Sequence, residues 1–135
     1  MSEALYRSLV EANPDALIFS DTEGTIRVWN RAAEALFGYT AEEAVGRSLD
    51  LVIPERLRAA HWDGFRRAFE TGVAKTAGRV LTTRSMTKDG RTIYVAIAFA
   101  LVNDEVGACI GALATSRDCT EAYLAQRAAK AASAG

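Results

Sequence analysis

The sequence predicts an α+β domain, in which a five-stranded antiparallel sheet has helices packed on one face and a flanking helix at each end. Five segments of strand length carry apolar or alternating residues, and the segments between them repeat apolar residues at helical spacing. Two turn sequences, Asp21-Thr22-Glu23-Gly24 and Lys88-Asp89-Gly90, are typical of hairpins. The predicted order is β-β-α-α-α-β-β-β, with a helix before and after it.

The N-terminal part predicts a helix followed by a hairpin. Residues 3–12 place apolar side chains on one side of a helix. Asn13-Pro14 ends this helix, because the residue before a proline is pushed out of the helical region. Residues 16–20 form a short apolar strand, residues 25–29 form the returning strand, and Gly24 between them is free to take positive φ.

Two short helices follow, and each has recognisable ends. Asn30 is a strong N-cap for a helix through Phe37, and Gly38 supplies its C-terminal stop. Thr40-Ala41-Glu42-Glu43 is a capping-box sequence, which starts a short helical turn ending at Gly46.

A long helix, three strands and a final helix make up the rest of the chain. Pro54 falls in the first turn of the long helix, where its missing N–H costs nothing. This helix runs to about Thr71, and Gly72 ends it. Strands are predicted over residues 76–86, 92–101 and 106–116. An alanine-rich helix then extends to about Ala131.

The composition predicts one globular domain. The chain has 135 residues, of which 50% are apolar and 24% charged, with a net charge of −1. The mixed charges give no electrostatic basis for nucleic-acid binding, and no apolar run is long enough to cross a membrane. Cys109 and Cys119 form no metal-spaced pair, and we expect a cytoplasmic protein with reduced thiols.

Several short motifs occur in a specific order and spacing along most of the chain. They are Asp21-x-x-Gly24, Trp29-Asn30-x-Ala32-Ala33-Glu34, Leu36-Phe37-Gly38-Tyr39, Glu42-Glu43-x-x-Gly46, Lys88-Asp89-Gly90 and Arg117-Asp118-x-Thr120-Glu121. Over residues 4–123 this pattern resembles a PAS domain. The resemblance implies a PAS fold with an N-terminal flanking helix over residues 1–13, a PAS core over 14–118, and a C-terminal flanking helix and tail over 119–135.

PAS domains are sensory and docking modules, so the resemblance also implies a function. A cavity between the sheet and the middle helices is expected to hold a cofactor or to be filled by side chains. The signal is expected to pass through the flanking helices, which would form a homodimer, to an output domain or a partner kinase or cyclase. No kinase, cyclase or DNA-binding segment follows residue 123, so we expect a free-standing sensor or part of a longer protein.

A narrower resemblance covers residues 46–100. Gly46-Arg47-Ser48, Ile53-Pro54-Glu55-Arg56-Leu57-Arg58 and His61-x-Asp63-Gly64 are similar to the haem-binding PAS domains of rhizobial oxygen-sensing kinases. This resemblance implies haem b as the cofactor and His61 as the proximal iron ligand. It also implies that Arg67 and Lys75 pair with the haem propionates.

The distal side departs from those sensors. Leu81 stands where they place the arginine that hydrogen-bonds bound oxygen. Arg79, on the same face of the predicted strand, stands where a related haem phosphodiesterase sensor places a methionine ligand. The distal wall is expected from Arg79, Leu81, Ile97 and Phe99, and further contacts to the cofactor are expected from Leu57, Phe65, Val95 and Ala114.

The spacing of the residues around His61 is compatible with the site that the resemblance implies. His61 is the only histidine of the chain, and it lies in the apolar stripe of its predicted helix. Gly64, one turn later, costs about 1 kcal/mol relative to alanine in a helix interior, which a flat group close to the backbone would justify. A neutral imidazole that presents Nε2 to iron avoids the burial of a charge.

Each of these residues also has an ordinary structural interpretation. His61 can be a partly buried side chain that is hydrogen-bonded to a carbonyl, and Arg79 can lie on the solvent face of its strand. Leu81, Ile97 and Phe99 can be core residues, and both interpretations require them to be buried.

The sequence excludes several other chemistries. It has no reactive cysteine in a flavin-type helix, no Cys-Pro haem-regulatory dipeptide, no Gly-x-Ser-x-Gly elbow and no glycine-rich phosphate loop, so we expect no enzyme. The first hypothesis is a haem-b PAS sensor that binds a diatomic gas (O2, CO or NO) or senses redox state. The alternative is a cofactor-free PAS interaction and dimerisation module, or a sensor of a small metabolite.

Overall fold

The computed structural model describes residues 2–73 and 78–134. Its helices are α1 (Glu3–Ala12), α2 (Arg31–Phe37), α3 (Ala41–Ala44), α4 (Glu55–Thr71) and α5 (Thr120–Ala134), and a 3-10 turn covers Leu49–Val52. Its strands are β1 (Ala16–Asp21), β2 (Ile26–Trp29), β3 (Leu81–Met86), β4 (Thr92–Asn103) and β5 (Cys109–Asp118). The predicted order of elements is confirmed. Across the described ranges, no helix combines the length and apolar character needed to cross a membrane.

Antiparallel pairing arranges the strands in the order β2-β1-β5-β4-β3, which confirms the predicted α+β class. Three strands start later than predicted, β2 by a single residue, at Ile26. Residues 76–77 of the predicted third strand lie outside the described residues. β3 begins at Leu81, where pairing with β4 begins. β5 begins at Cys109, because a turn closes just before it: the N–H of Asp104 donates to the carbonyl of Ala108 at 2.8 Å, and Gly107 takes a φ of +88°.

The helix ends follow the predicted capping residues. Thr40 and Glu43 form a complete capping box at the start of α3. Gly72 ends α4 in the left-handed conformation, with a φ of +74°. Pro54 occupies the N-cap position of α4, one residue before its first turn, so its predicted place inside that turn is wrong by one residue.

The hydrophobic core lies between the sheet and the short helical segments α2, α3 and Leu49–Val52. Its buried members are Ala16, Ile18, Ile26, Trp29, Ala33, Phe37, Ala44, Val52, Ile93 and Val95. The long helix α4 contributes none of them: all of its residues are described, and none is fully buried. It therefore covers one end of the sheet without filling the core.

Asn30 connects three elements from a fully buried position. Its Oδ1 accepts the N–H of Ala33, which caps α2, and the N–H of Leu17 in β1, at 3.0 and 2.9 Å. Its Nδ2 donates to the carbonyls of Val10 in α1 and Asp15, at 2.9 and 3.0 Å. One amide thus fixes the N-terminal flanking helix to the core.

Asn30→Ala is expected to lower the free energy of unfolding by about 3 kcal/mol, because it removes a helix cap and leaves buried backbone groups unsatisfied. Thr40→Ala is the matched control, since it removes an exposed N-cap only and is expected to cost about 1 kcal/mol. Urea denaturation of both variants measures the difference. Equal losses would contradict the connecting role of Asn30.

Candidate functional site

A cavity of about 250 Å³ lies between α4 and the neighbouring parts of β4 and β5. Apolar and aromatic side chains form most of its wall, together with one imidazole. The lining residues are Ala60, His61, Gly64, Phe65, Ala68, Phe69, Phe99, Ala100, Leu101 and Ala112. A concave, mainly apolar space with few polar groups is typical of small-molecule sites.

His61 brings the imidazole to the wall of this cavity from the second turn of α4. The side chain is half-buried, and its Nδ1 is buried with no hydrogen-bond partner among the described residues. Burial lowers the pKa of His61 below its usual value of 6.5, and the charge of Asp50 opposes this with a smaller effect. The imidazole is therefore neutral at pH 7, with a lone pair that can serve a metal or a donor.

Aromatic side chains continue the wall on both sides. The ring centroids of His61 and Phe65 are 5.8 Å apart, and those of Phe65 and Phe69 are 4.6 Å apart with nearly perpendicular planes. Phe99 lines the cavity from β4. Leu57, one turn before His61, is half-buried and does not line the cavity. The predicted contacts that the structure brings together are therefore His61, Phe65 and Phe99.

Gly64 leaves open space on the cavity side of α4. A Cβ built at this position meets no atom within 4 Å, and the residue lines the cavity one turn after His61. Its φ is not positive, so the backbone conformation does not require glycine. The missing side chain instead allows a ligand to approach the helix backbone.

The predicted sheet residues share the inner face of the sheet. Leu81 pairs with Ile97, and Phe99 pairs with Ala114, and opposite residues of an antiparallel pair lie on the same face. Val95 is fully buried in the core, whereas the other four are half-buried. Of these five residues, Phe99 reaches the cavity.

The predicted polar contacts are not assembled around the cavity. Arg67 pairs with Asp63 on the same helix, and its side chain is 68% exposed. Arg79 is exposed and precedes β3, so the prediction that it shares a strand face with Leu81 is wrong. The reason is that pairing with β4 begins only at Leu81. Lys75 lies outside the described residues.

Some lining residues were missing from the predicted set. Leu101 continues the period-two alternation from Phe99, and Phe69 lies two turns after His61, so spacing alone could have found both. Ala112 lies opposite Leu101 in the register of β4 and β5. Its place depends on the pairing of two strands, which no local pattern reveals.

The residues at the cavity fit a haem group better than a simple metal site. Within the described ranges, no group of three or more His, Cys, Asp or Glu side chains could hold a metal ion. A porphyrin supplies the equatorial nitrogens itself, so the protein needs to offer one axial ligand. A neutral imidazole at an apolar wall meets that requirement.

Compared with models of protein families, the chain matches the PAS fold over residues 4–119. The chain belongs to the PAS family. Among solved structures, the PAS domain of a protein from Colwellia psychrerythraea superimposes with a TM-score of 0.75 at 23% identity, over 87% of this chain and 97% of that one. The predicted PAS fold is thereby confirmed.

Two curated relatives of this PAS domain are sensor proteins. It is 30% identical over 104 residues to the oxygen sensor protein DosP of Escherichia coli, which is 77% of this chain and 13% of that protein. It is 39% identical over 59 residues to the sensor protein FixL of Bradyrhizobium diazoefficiens, which is 44% of this chain and 12% of that protein. The matched part is thus about an eighth of the length of either relative.

Gly64→Ala is expected to raise the free energy of unfolding of the PAS domain by up to about 1 kcal/mol, because alanine favours the helix and its methyl group meets no atom. Gly72→Ala is the matched control: its φ of +74° disfavours a side chain, so this variant is expected to lose about 1 kcal/mol. Urea denaturation measures both. A loss of stability in Gly64→Ala would mean that the space beside His61 is closed in solution.

Proposed function

We propose that this PAS domain is a haem-b sensor in which His61 would hold the iron. The observation that carries the proposal is the neutral imidazole of His61 at the cavity, a polar side chain among apolar lining residues. A polar group placed in an otherwise apolar wall points to a role other than folding. Bound haem would supply reversible coordination of a diatomic gas, or a redox change at iron.

Each residue of the site has a task in this proposal. His61 would offer a nitrogen lone pair to the iron, and Gly64 would let a flat ring approach the backbone of α4. Phe65 and Phe99 supply apolar contacts and keep water away from the iron. Arg67 and Lys75 remain the proposed partners of the propionates.

The similarity to DosP, an oxygen sensor protein, supports this function. The distal side does not follow the sensors that the sequence resembles, because Leu81 has no hydrogen-bond donor and Arg79 is exposed. The proposal therefore covers binding of O2, CO or NO, and redox sensing, and it assigns no selectivity among them. It describes a sensor and not an enzyme.

The C-terminal flanking segment, residues 119–135, is the proposed route of the signal. Tyr123 of α5 stacks on Tyr94 of β4, with ring centroids 4.1 Å apart and an angle of 22° between the planes. Arg84 and Arg127 lie within 6 Å of these two rings. Val95, the next residue of β4, is buried on the inner face of the sheet. Because Tyr94 stacks on Tyr123, a shift of β4 would move the start of α5.

Both flanking helices also expose apolar side chains. Leu5 and Leu9 of α1 are 41% and 56% exposed, and Leu124 of α5 is 48% exposed. We propose that these helices form a homodimer and pass the signal to an output domain or a partner kinase or cyclase.

A second candidate function is a cofactor-free PAS interaction module or a small-metabolite sensor. The volume of the cavity favours it, since about 250 Å³ lies below the roughly 300–1,000 Å³ of drug-sized ligand sites. A small molecule would fit this space, whereas haem requires the part of α4 beyond Trp62 to move away from the sheet. Such a movement disturbs little of the core, because no residue of α4 is fully buried.

Hemin added to the purified protein is expected to produce a Soret absorption band, and His61→Ala is expected to weaken hemin binding by more than about tenfold, because the iron loses its axial ligand. Glu70→Ala is the matched control on an exposed position of α4 and should leave the band unchanged. Absorption titration measures all three proteins.

Two results of this titration would contradict the proposal. A wild-type protein without a Soret band after hemin addition would exclude the haem sensor and favour the small-molecule candidate. A wild-type band with an unchanged band in His61→Ala would show that another residue holds the iron.

Tyr123→Ala is expected to speed amide hydrogen exchange in the first turns of α5 by about three- to tenfold, because an aromatic stack contributes about 0.5–1.5 kcal/mol. Tyr123→Phe keeps the stack and should exchange as the wild type does. Mass spectrometry of both variants after deuterium labelling measures the rates. Equal rates in the two variants would mean that the stack does not fix α5 to the sheet.

A further inference from the structure

Trp62, the residue after the proposed iron ligand, attaches α4 to two turns of the first half of the chain. Its indole Nε1 donates to Oδ1 of Asp50, in the 3-10 turn, at 2.7 Å. Its ring lies against the backbone of Gly24, in the turn between β1 and β2: a Cβ built on Gly24 would be 2.3 Å from Cη2 of Trp62. The indole is therefore held by a hydrogen bond and by a close backbone contact.

The surface that receives the indole is itself fixed by hydrogen bonds. The carbonyl of Gly24 accepts the N–H of Leu49 at 3.1 Å, which joins the two turns. Arg58 donates to the carbonyls of Ile53 and Asp50, at 3.0 and 3.2 Å, and so ties the first turn of α4 to the 3-10 turn. A side chain at Gly24 would occupy the place of the indole, so this contact requires glycine.

The position of Trp62 determines where His61 points. Neighbouring residues of an α-helix project about 100° apart, so a helix held at Trp62 presents His61 at a defined angle. The ring centroids of the two residues are 4.6 Å apart. The hydrogen bonds of Arg58 also restrict the rotation of this helix about its axis, but they lie one turn before His61, and no residue of α4 is fully buried.

We propose that Trp62 is the positioning residue for His61: held by Asp50 and Gly24, it sets the rotation of α4 that directs the imidazole into the cavity. This inference rests on the proposed role of His61 as the iron ligand. Trp62 acts through His61 and does not itself line the cavity.

The first test uses the ligand-free protein. Exchange of the indole N–H of Trp62 with solvent, followed by NMR, is expected to be at least about tenfold faster in Asp50→Ala than in the wild type, because the hydrogen-bonded partner is charged. Asp50→Asn keeps an acceptor oxygen and should restore most of the protection. The indole N–H of Trp29, which donates to the carbonyl of Tyr39 at 2.9 Å, is the internal control and should not change.

The second test separates positioning from general stability by hemin titration. Trp62→Phe keeps an aromatic ring but removes the donor and the indole atoms that contact Gly24, and it is expected to weaken hemin binding about tenfold in the wild-type background. The same substitution is then made in His61→Gly with excess imidazole, where the free imidazole supplies the axial ligand. In that background its effect is expected to fall below about twofold, since no helix-borne ligand remains to be positioned.

The possible results have distinct meanings. An equal loss of hemin affinity from Trp62→Phe in both backgrounds would overturn the positioning role while the haem function stands. Unchanged indole exchange in Asp50→Ala would overturn the hydrogen bond on which the role depends. A wild-type protein that binds no hemin would overturn the haem function, and with it the role of Trp62 toward an iron ligand.

Discussion

The attachment of α4 to the rest of the domain is the interaction on which the candidate site depends. This helix is held along one side, where Trp62 contacts Gly24 and donates to Asp50. Helix α2, by contrast, is held by side chains that it buries in the core, Ala33 and Phe37. Every residue of α4 is described, and none is fully buried, so its apolar stripe covers a cavity and not a packed core.

This arrangement has an energetic consequence. Burial of apolar surface contributes about 25 cal/mol per Å², so a helix with half-buried side chains gains less than a core helix of the same length. Gly64 and the unpartnered nitrogen of His61 add costs of about 1 kcal/mol and about 1–3 kcal/mol. A ligand that fills the cavity beside Gly64 would offset part of these costs and stabilise α4 in its bound position. Ligand binding and the position of this helix would therefore be coupled.

Most of the fold could be predicted because its signals are local. The ends of α4 follow from Pro54 and Gly72, and the cap of α2 follows from Asn30, since each depends on a few neighbouring residues. The order of the elements followed from the apolar patterns between these ends. Helical spacing likewise placed His61 and Phe65 on the stripe that faces the cavity.

The parts of the site that the sequence did not reveal depend on tertiary contacts. Arg79 was misplaced because the first residue of β3 is set by pairing with β4, and the composition of the segment before it does not show this. The hydrogen bond between Trp62 and Asp50 joins residues of different elements, and no repeating pattern marks it. The size of the cavity has the same origin, since it depends on the distance at which α4 is held from the sheet.

The charges near the cavity set the last condition for haem. Propionates need cationic partners, yet Arg66 and Arg67 both pair with Asp63 in the ligand-free protein. These pairs are exposed, and exposed ion pairs contribute only about 0–1 kcal/mol, so a carboxylate that binds Arg67 in bidentate fashion can replace Asp63 at low cost. Under the proposed haem function, the electrostatic condition would therefore be met by an exchange of partners on α4, and the steric condition by a displacement of the part of this helix beyond Trp62.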